Sequence, residues 1–412
     1  MDIRPILSTL SRHKTAAALI IFEIALSCAI ICNALFLVFE RLERMDRPTG
    51  LAGEHLVALQ VSGLSRDDDV AAVTAGDLAA LRQIPGVAGA TIVNQLPFGN
   101  SMWVSSVRMD PDQRGTTMDV ASYIGTQDMI ATLGLELVAG RNFTADEVGD
   151  FNQMSAADGA VDFPSVILTR TVAERLFPEG DALGKPLYIW GSDGHPNRVV
   201  GIVDRLVQPR DEGPAGQYGD AVILPATMPY SSGFFVLNVT DPQRRQEVLD
   251  QAVETLADRG PTRIVHPRSA RTFEDMRAAY YRQDRAMAWL LVAVCVALLV
   301  VTALGIVGLA SFWVQQRSRQ IGIRRALGAT RGQILRYFQT ENFLLATAGI
   351  VLGMAMAYGL NQLLMQQYEL PRLPLAYLPA GAVVLWLLGQ VAVLGPARRA
   401  AAVPPAVATR SA

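Results

Sequence analysis

Residues 315–329 read QQRSRQIGIRRALGA and lie between two apolar runs, 286–314 and 343–365. The stretch holds four arginines and no acidic residue. Wound as a helix, it places Ile323, Ala326 and Leu327 on one face, at the i, i+3, i+4 spacing of an amphipathic segment. Arg317 and Arg324, seven apart, share another face. Gly328 reads as a helix stop, because glycine alone enters the left-handed conformation without cost. Thr330 and Gln333 then form a capping box that starts a new helix. A basic loop that only fixes orientation would carry the charge. It would need neither the apolar face, nor the stop, nor the restart. The reading is a short amphipathic helix lying on a membrane surface, a sharp turn, and a long helix climbing into the bilayer.

Outward from this loop, the chain supplies the membrane spans that the reading requires. A bilayer core takes about 20 apolar residues in helix. Four runs qualify: 15–39, 286–314, 338–365 with its apolar part at 343–365, and the shorter 377–395. The whole chain of 412 residues is 50% hydrophobic and only 18% charged, which excludes a disordered or collagen-like protein. Cys28, Cys32 and Cys295 all fall within apolar runs, so the polar region carries no disulfide framework. The formal net charge of −2 conceals a division. Residues 40–283 carry 22 basic and 33 acidic side chains, against 14 basic and 5 acidic elsewhere. Arg4, Arg12 and Lys14 precede the first run. Arg317, Arg319, Arg324, Arg325, Arg331 and Arg336 lie between the second and third, and Arg398, Arg399 and Arg410 follow the fourth. Positive charge marks the cytoplasmic side. Segments 1–14, 315–337 and 396–412 are therefore expected inside, and 40–285 and the small loop 366–376 outside. Few arginines, flanking apolar runs and without interleaved aromatics, exclude a nucleic-acid surface. Arg12, His13 and Lys14 before an apolar run also fit a signal peptide, with a hint of a lipoprotein site at Cys28. The run continues well past Cys28 and Glu23 interrupts it, so an uncleaved anchor is expected.

The outside region alternates strand and helix patterns. Residues 55–61 and 87–96 read as strands around a helix at 74–84, with Thr74 as N-cap and Asp77 three residues on. Residues 234–239 and 262–265 are β-rich around a helix at 242–258. Two such β-α-β units, within 54–97 and 233–267, flank a block at 98–232 rich in Gly, Pro and short β runs such as 165–169 and 199–203. The fold class expected is a membrane protein with four transmembrane helices and a large extracytoplasmic α+β domain. That domain combines a split β-α-β subdomain with a mostly β inserted subdomain.

The loop around IGIRRALGA resembles the signature of the FtsX-like permease family, which often reads R-x-R-E-I-G-I-R-(K/R)-A-L-G-A. Gln320 stands where that pattern carries Glu. Leu133-Gly134-Leu135 with Ala139-Gly140-Arg141-Asn142-Phe143 resembles the family's MacB-like periplasmic domains. So do residues 173–185, AERLFPEGDALGK, the Val199–Val203 run, and Pro396-Ala397-Arg398-Arg399-Ala400 near the end. The resemblance implies the permease subunit of an ABC transporter in the bacterial inner membrane, with a large periplasmic domain and export or extraction as its work. It implies that Ile321, Gly322, Ile323, Arg324, Arg325, Ala326, Leu327, Gly328 and Ala329 contact a cytoplasmic ABC ATPase. A second permease subunit completes the unit, and a periplasmic adaptor is a further partner such domains could meet. The competing reading is an FtsX-like regulator that activates an extracytoplasmic enzyme without moving a substrate.

No cofactor is expected on this chain; ATP-Mg would sit on the partner ATPase. A Walker A loop needs G-x-x-x-x-G-K-[ST]. The nearest string, Gly180 to Lys185, has the wrong spacing and is followed by Pro186. The chain is thus expected to be non-catalytic. His13, His55, His195 and His266 lack metal-ligand spacing, so no metal site is expected. No G-x-S-x-G elbow occurs. Asp67-Asp68-Asp69 reads as a solvated turn, and Asp211-Glu212-Gly213-Pro214 as an exposed tip. Met102 and Trp103 read as core before contact patch. Glu23 and Glu341, in or beside spans, are candidates for intramembrane polar contacts. Gly349-x-x-x-Gly353 and Ala355-x-x-x-Gly359 permit close helix approach, within the chain or between copies.

Overall fold

The computed structural model describes residues 14–63, 69–99, 101–113, 115–152, 163–189, 195–211, 217–259, 263–265, 269–368 and 374–402. Arg4, Arg12 and Arg410, Asp67 and Asp68, the tip at 212–214, His266 and residues 369–373 lie outside that set. The chain divides into two compact units, Met1–Asp46 with Gln283–Ala412, and Arg47–Arg282.

The first unit is helical. Helices α1 (Lys14–Asp46), α7 (Arg282–Gln316), α9 (Arg331–Tyr368) and α10 (Tyr377–Ala402) are each long and apolar enough to cross a membrane. Helix α1 runs past the expected end at residue 39, because Glu40 to Met45 are strong helix formers and nothing stops the helix before Pro48. Helix α9 likewise begins at Arg331, so the last basic residues of the loop form its first turns. Helix α1 packs on α9 and α10. The Gly349/Gly353 spacing is consumed inside the chain. A Cβ at Gly353 would lie 2.5 Å from Cys28 Cβ, and one at Gly349 would lie 2.8 Å from Ile24 Cβ. Ala355 and Gly359 face outward instead. Cys28, Cys32 and Cys295 are buried free thiols.

The second unit holds two larger sheets and a two-stranded one over one continuous apolar core. A four-stranded sheet is built from the two flanks of the region, in the order β14 (Arg271–Thr272), β1 (Leu56–Leu59), β12 (Phe234–Val239), β3 (Val87–Val93). Both helices of the flanks, α2 (Val70–Arg82) and α5 (Arg245–Ala257), contribute to the core. Strand β13 (Arg263–Val265) leaves this sheet and pairs with β2 (Val61–Gly63). The N-cap of α2 is Asp69, whose side chain accepts from Ala72 N, and not Thr74. Thr74 lies one turn inside, donating to Val70 O at 2.7 Å and accepting from Tyr230 N at 3.0 Å. Asp77 is buried in an ion pair with Arg263. Both polar side chains are satisfied by tertiary partners, which local capping rules do not see.

The inserted block forms a second, larger sheet around β4 (Val104–Arg108), β5 (Met118–Gly125), β8 (Ser165–Thr169), β9 (Pro186–Ile189), β10 (Asn197–Val203) and β11 (Ala221–Thr227). These strands run β5-β4-β9-β10-β8-β11, and β11 pairs again with β5, closing a ring. Closure removes the unpaired edges that an open sheet exposes. Short strands β6 (Leu137–Gly140) and β7 (Gly149–Asp150) add to β10 and β11. Met102 stays 39% exposed, against its expected core position, because β4 begins only at Val104 and the chain here is still loop. Trp103 is partly buried and packs edge-on against Phe151.

The sequence stretches that stood out in this unit have structural work. Helix α3 (Asp128–Leu133), part of the insertion, ends at Gly134 with φ +69°, and a Cβ there would lie 2.6 Å from Ala52 Cβ. Asn238 Nδ2 of β12 donates to Thr132 O at 2.9 Å, so this helix locks the inserted block onto the flanking sheet. In AGRNF, Gly140 lets Val200 O approach to 2.2 Å of where a Cβ would be. Arg141 then forks onto Glu147 at 2.7 and 2.8 Å, and buried Phe143 anchors the turn. Glu147 also closes a capping box with Thr144.

Candidate functional site

The connection between α7 and α9 is an ordered, three-part device. Helix α7 ends at Gln316; Arg317 breaks the helical path with φ −105° and ψ 10°; helix α8 spans Ser318–Ala326. The turn after α8 is a Schellman motif: Gly328 N donates to Arg325 O at 3.1 Å and Ala329 N to Arg324 O at 3.0 Å. Gly328 has φ +100°, the conformation its lack of a Cβ allows. The capping box follows, with Thr330 N donating to Gln333 Oε1 at 2.9 Å and Gln333 N to Thr330 Oγ1 at 3.3 Å. Several of the turn's orphaned backbone groups thus find local partners, which stiffens it.

The nine singled-out residues separate into two sets. Ile321 is 6% exposed and Gly322 is buried, so these two dock α8 against the helices. Arg325 Nη1 donates to Ala401 O at 2.9 Å and ties α8 to the end of α10. Ile323, Arg324, Ala326, Leu327 and Gly328 are exposed, Leu327 at 84%, and Ala329 is partly buried. The apolar face predicted for Ile323, Ala326 and Leu327 therefore exists, but it points away from the bundle. Periodicity groups residues onto a face without saying which face is covered, and here Ile321 carries the packing.

Arg317 and Arg324, read as sharing a face, differ in burial: Arg324 is exposed and Arg317 is buried. The Arg317 side chain is 9% exposed, and Nη1 donates to Glu341 Oε1 at 3.0 Å and Oε2 at 3.1 Å. The guanidinium also lies 5.3 Å from the Trp313 ring centre. Glu341, only 1% exposed, is thus a buried counter-ion that joins the start of α8 to the third turn of α9. Beside it lies a cavity of about 20 Å³ lined by Trp313, Glu341, Asn342 and apolar residues. Trp313 Nε1 and Asn342 Nδ2 are buried there without a hydrogen-bond partner. Glu23 lies apart, on α1, where its carboxylate faces Gly305 of α7; a Cβ at Gly305 would lie 2.6 Å from either oxygen. The sequence did hold a signal for the Arg317–Glu341 pair. Both residues lie near the same ends of two helices joined by a short link, so opposite charges there share a depth.

Among the described residues, no group of three or more His, Cys, Asp or Glu side chains could hold a metal ion. Lys185, at the end of the glycine-bounded string 180–185, pairs with Asp181 at 3.5 Å in the second unit, and both side chains are exposed.

Residues 24–255 match the family of MacB-like periplasmic core domains, and residues 292–405 match the FtsX-like permease C-terminal family. Among relatives, the macrolide export ATP-binding/permease protein MacB of Chromobacterium violaceum is 28% identical over 255 residues, covering 58% of this chain and 35% of that protein. The uncharacterized ABC transporter permease YknZ of Bacillus subtilis is 24% identical over 278 residues, covering 67% and 66%. The chain thus spans about a third of the length of such MacB proteins. Among solved structures, the periplasmic region of MacB from Actinobacillus actinomycetemcomitans aligns with a TM-score of 0.33 at 14% identity, covering 58% of this chain and 97% of that one. The extracellular domain of YknZ aligns with a TM-score of 0.30 at 14% identity, covering 51% and 99%.

Proposed function

Because the chain belongs to the family of ABC transporter permeases with MacB-like periplasmic core and FtsX-like domains, we propose that it transmits ATP-driven motion from a separate cytoplasmic ATPase to a periplasmic domain, for export or extraction of a substrate. In this reading α8 lies on the cytoplasmic side, both termini share that side, and the unit Arg47–Arg282 lies in the periplasm. The chain itself is non-catalytic, ATP-Mg binds the partner, and a second permease subunit completes the assembly. The carrying observation is the build of α8. It offers Ile323, Arg324, Ala326 and Leu327 outward while Ile321, Arg325 and the Arg317–Glu341 pair bind its other side to α9 and α10. A helix so held cannot absorb a push by bending at its ends. Force on the exposed face passes into α9, whose first turn is fixed to α8 by the Schellman turn and the capping box.

The test uses the chain co-purified with its ATPase and reconstituted in lipid. Ile323→Asp and Arg324→Glu change only exposed side chains and are expected to leave the chain folded. Each should lower permease-stimulated ATP hydrolysis by about tenfold, the loss expected for one good interface contact. Full stimulated hydrolysis and full transport in both variants would refute the coupling role.

A further inference from the structure

One side of α8 does not close fully onto α9. Arg317, Gln320, Ile321 and Arg324 recur at helical spacing and, with Gln333, Ile334, Tyr337 and Phe338 of α9, enclose a cavity of about 310 Å³. That volume lies at the lower end of small-molecule sites. The cavity has two kinds of wall. Ile321, Ile334, Phe338 and Ala329 are apolar, whereas two guanidinium groups and two side-chain amides are polar. No acidic residue lines it.

Its charge is only partly compensated, because Glu341 neutralises Arg317 and no carboxylate pairs with Arg324 among the described residues. Arg317 spends Nη1 on Glu341, while its Nη2 is buried without a hydrogen-bond partner. Arg324 lies with its guanidinium 5.2 Å from the Tyr337 ring centre and makes no ion pair among the described residues. Gln320, between them on the helix, contributes an amide where a carboxylate would have neutralised Arg324. The cavity also lies where the apolar parts of α7 and α9 give way to arginine, which is the depth of lipid headgroups.

We propose that this cavity binds a phosphate group, as carried by the headgroup of an anionic phospholipid or by a soluble phosphate. Arg324 donates to its oxygens, since a guanidinium fork matches phosphate geometry, while Arg317 stays paired with Glu341 in the wall. The Gln320 amide completes the polar wall. The apolar wall takes the glycerol and first methylenes when the source is a lipid. Arg324 belongs both to this cavity and to the exposed side of α8, so the test is made without an ATPase and varies Gln320 instead of Arg324.

The full chain in nanodiscs tests this without any ATPase. Discs are prepared from phosphatidylcholine alone, from phosphatidylcholine with phosphatidylglycerol, and from phosphatidylcholine with inorganic phosphate in the buffer. Thermal unfolding and lipid retained on the protein by native mass spectrometry are read in each. Gln320→Glu places an internal carboxylate beside both arginines and should reduce phosphate-group binding about tenfold, the effect of losing one charge-assisted contact. Arg331→Gln removes a nearby charge that does not line the cavity and should leave binding unchanged. Gln320→Leu removes the amide alone and should give a smaller loss, which keeps the test readable if Gln320→Glu fails to insert. Protection by phosphatidylglycerol, lost in Gln320→Glu and kept in Arg331→Gln, supports the lipid source. The same pattern with inorganic phosphate supports a soluble one. Equal retention in wild type and both Gln320 variants overturns the site, as does equal loss in Gln320→Glu and Arg331→Gln.

Discussion

At the scale of residues, two ion pairs make contrasting predictions. Arg317 and Glu341 are both buried, so removing one leaves the other's charge without a partner in a poorly solvated place. Glu341→Ala should cost about 3–5 kcal/mol, whereas replacing both by apolar residues of similar volume should cost far less. Unfolding of the single variant and of Arg317→Met with Glu341→Leu, compared in detergent, checks the difference. The second pair lies at the surface of the other unit. The Arg141 fork, helped by hydrogen bonds from Thr144, holds the Glu147 carboxyl down to about 2. Its folded-state value lies below the unfolded one, roughly 4.3. The stabilisation is therefore fully present above the unfolded value and is lost as pH falls through about 2. Arg141→Ala should remove that stabilisation near neutrality, with the difference from the wild type shrinking as pH falls through about 2, seen by denaturant unfolding at the two ends of that range. Neither pairing was plain from periodicity, which sorts residues along one helix. Glu341 lies on the next helix, and Glu147 was simply not singled out. The AGRNF stretch containing Arg141 was legible as a motif, but only the fold shows that it builds a turn.

At the scale of elements, turn chemistry was the most legible feature. The stop at Gly328 and the restart at Thr330 and Gln333 were read from residue type alone, because φ above zero and reciprocal capping are local demands. Gly328→Ala should cost about 1–2 kcal/mol, the cost of a Cβ in a left-handed conformation. A lowered melting temperature without loss of helix content would register it. Helix ends were less legible. Helix α1 continues to Asp46 because its apolar run ends before its helix formers do. Close approach of α1 and α9 at Gly353 sets a sharper test. Gly353→Leu would drive a side chain into Cys28 and Ala25 O, and overpacking of this kind costs about 1–3 kcal/mol or more. A fall in melting temperature with weakened α1–α9 cross-linking is expected; an unchanged melting temperature would contradict the packing.

At the scale of the whole molecule, charge and hydropathy sufficed to separate membrane helices from a polar region. They could not show that the inserted strands close on themselves. Closure rests on β11 finding β5, with Ala221 opposite Ala121, and pairing so remote in sequence leaves no periodic trace. Its consequence is measurable. Strand β11 is paired along both edges and almost wholly buried, so its amides should exchange slowest in this unit, while those of the short strand β13 exchange early. Hydrogen exchange followed by mass spectrometry distinguishes the two.

The polypeptide leaves the helical unit after Asp46 and re-enters it at Gln283. The two helices that make these crossings are stitched together twice, by Arg41 with Asp284 at one level and by Ser27 Oγ with Thr302 Oγ1, 2.8 Å apart, at another. Two tethers riveted to each other cannot slide independently. A torque entering through either helix must be shared by the other.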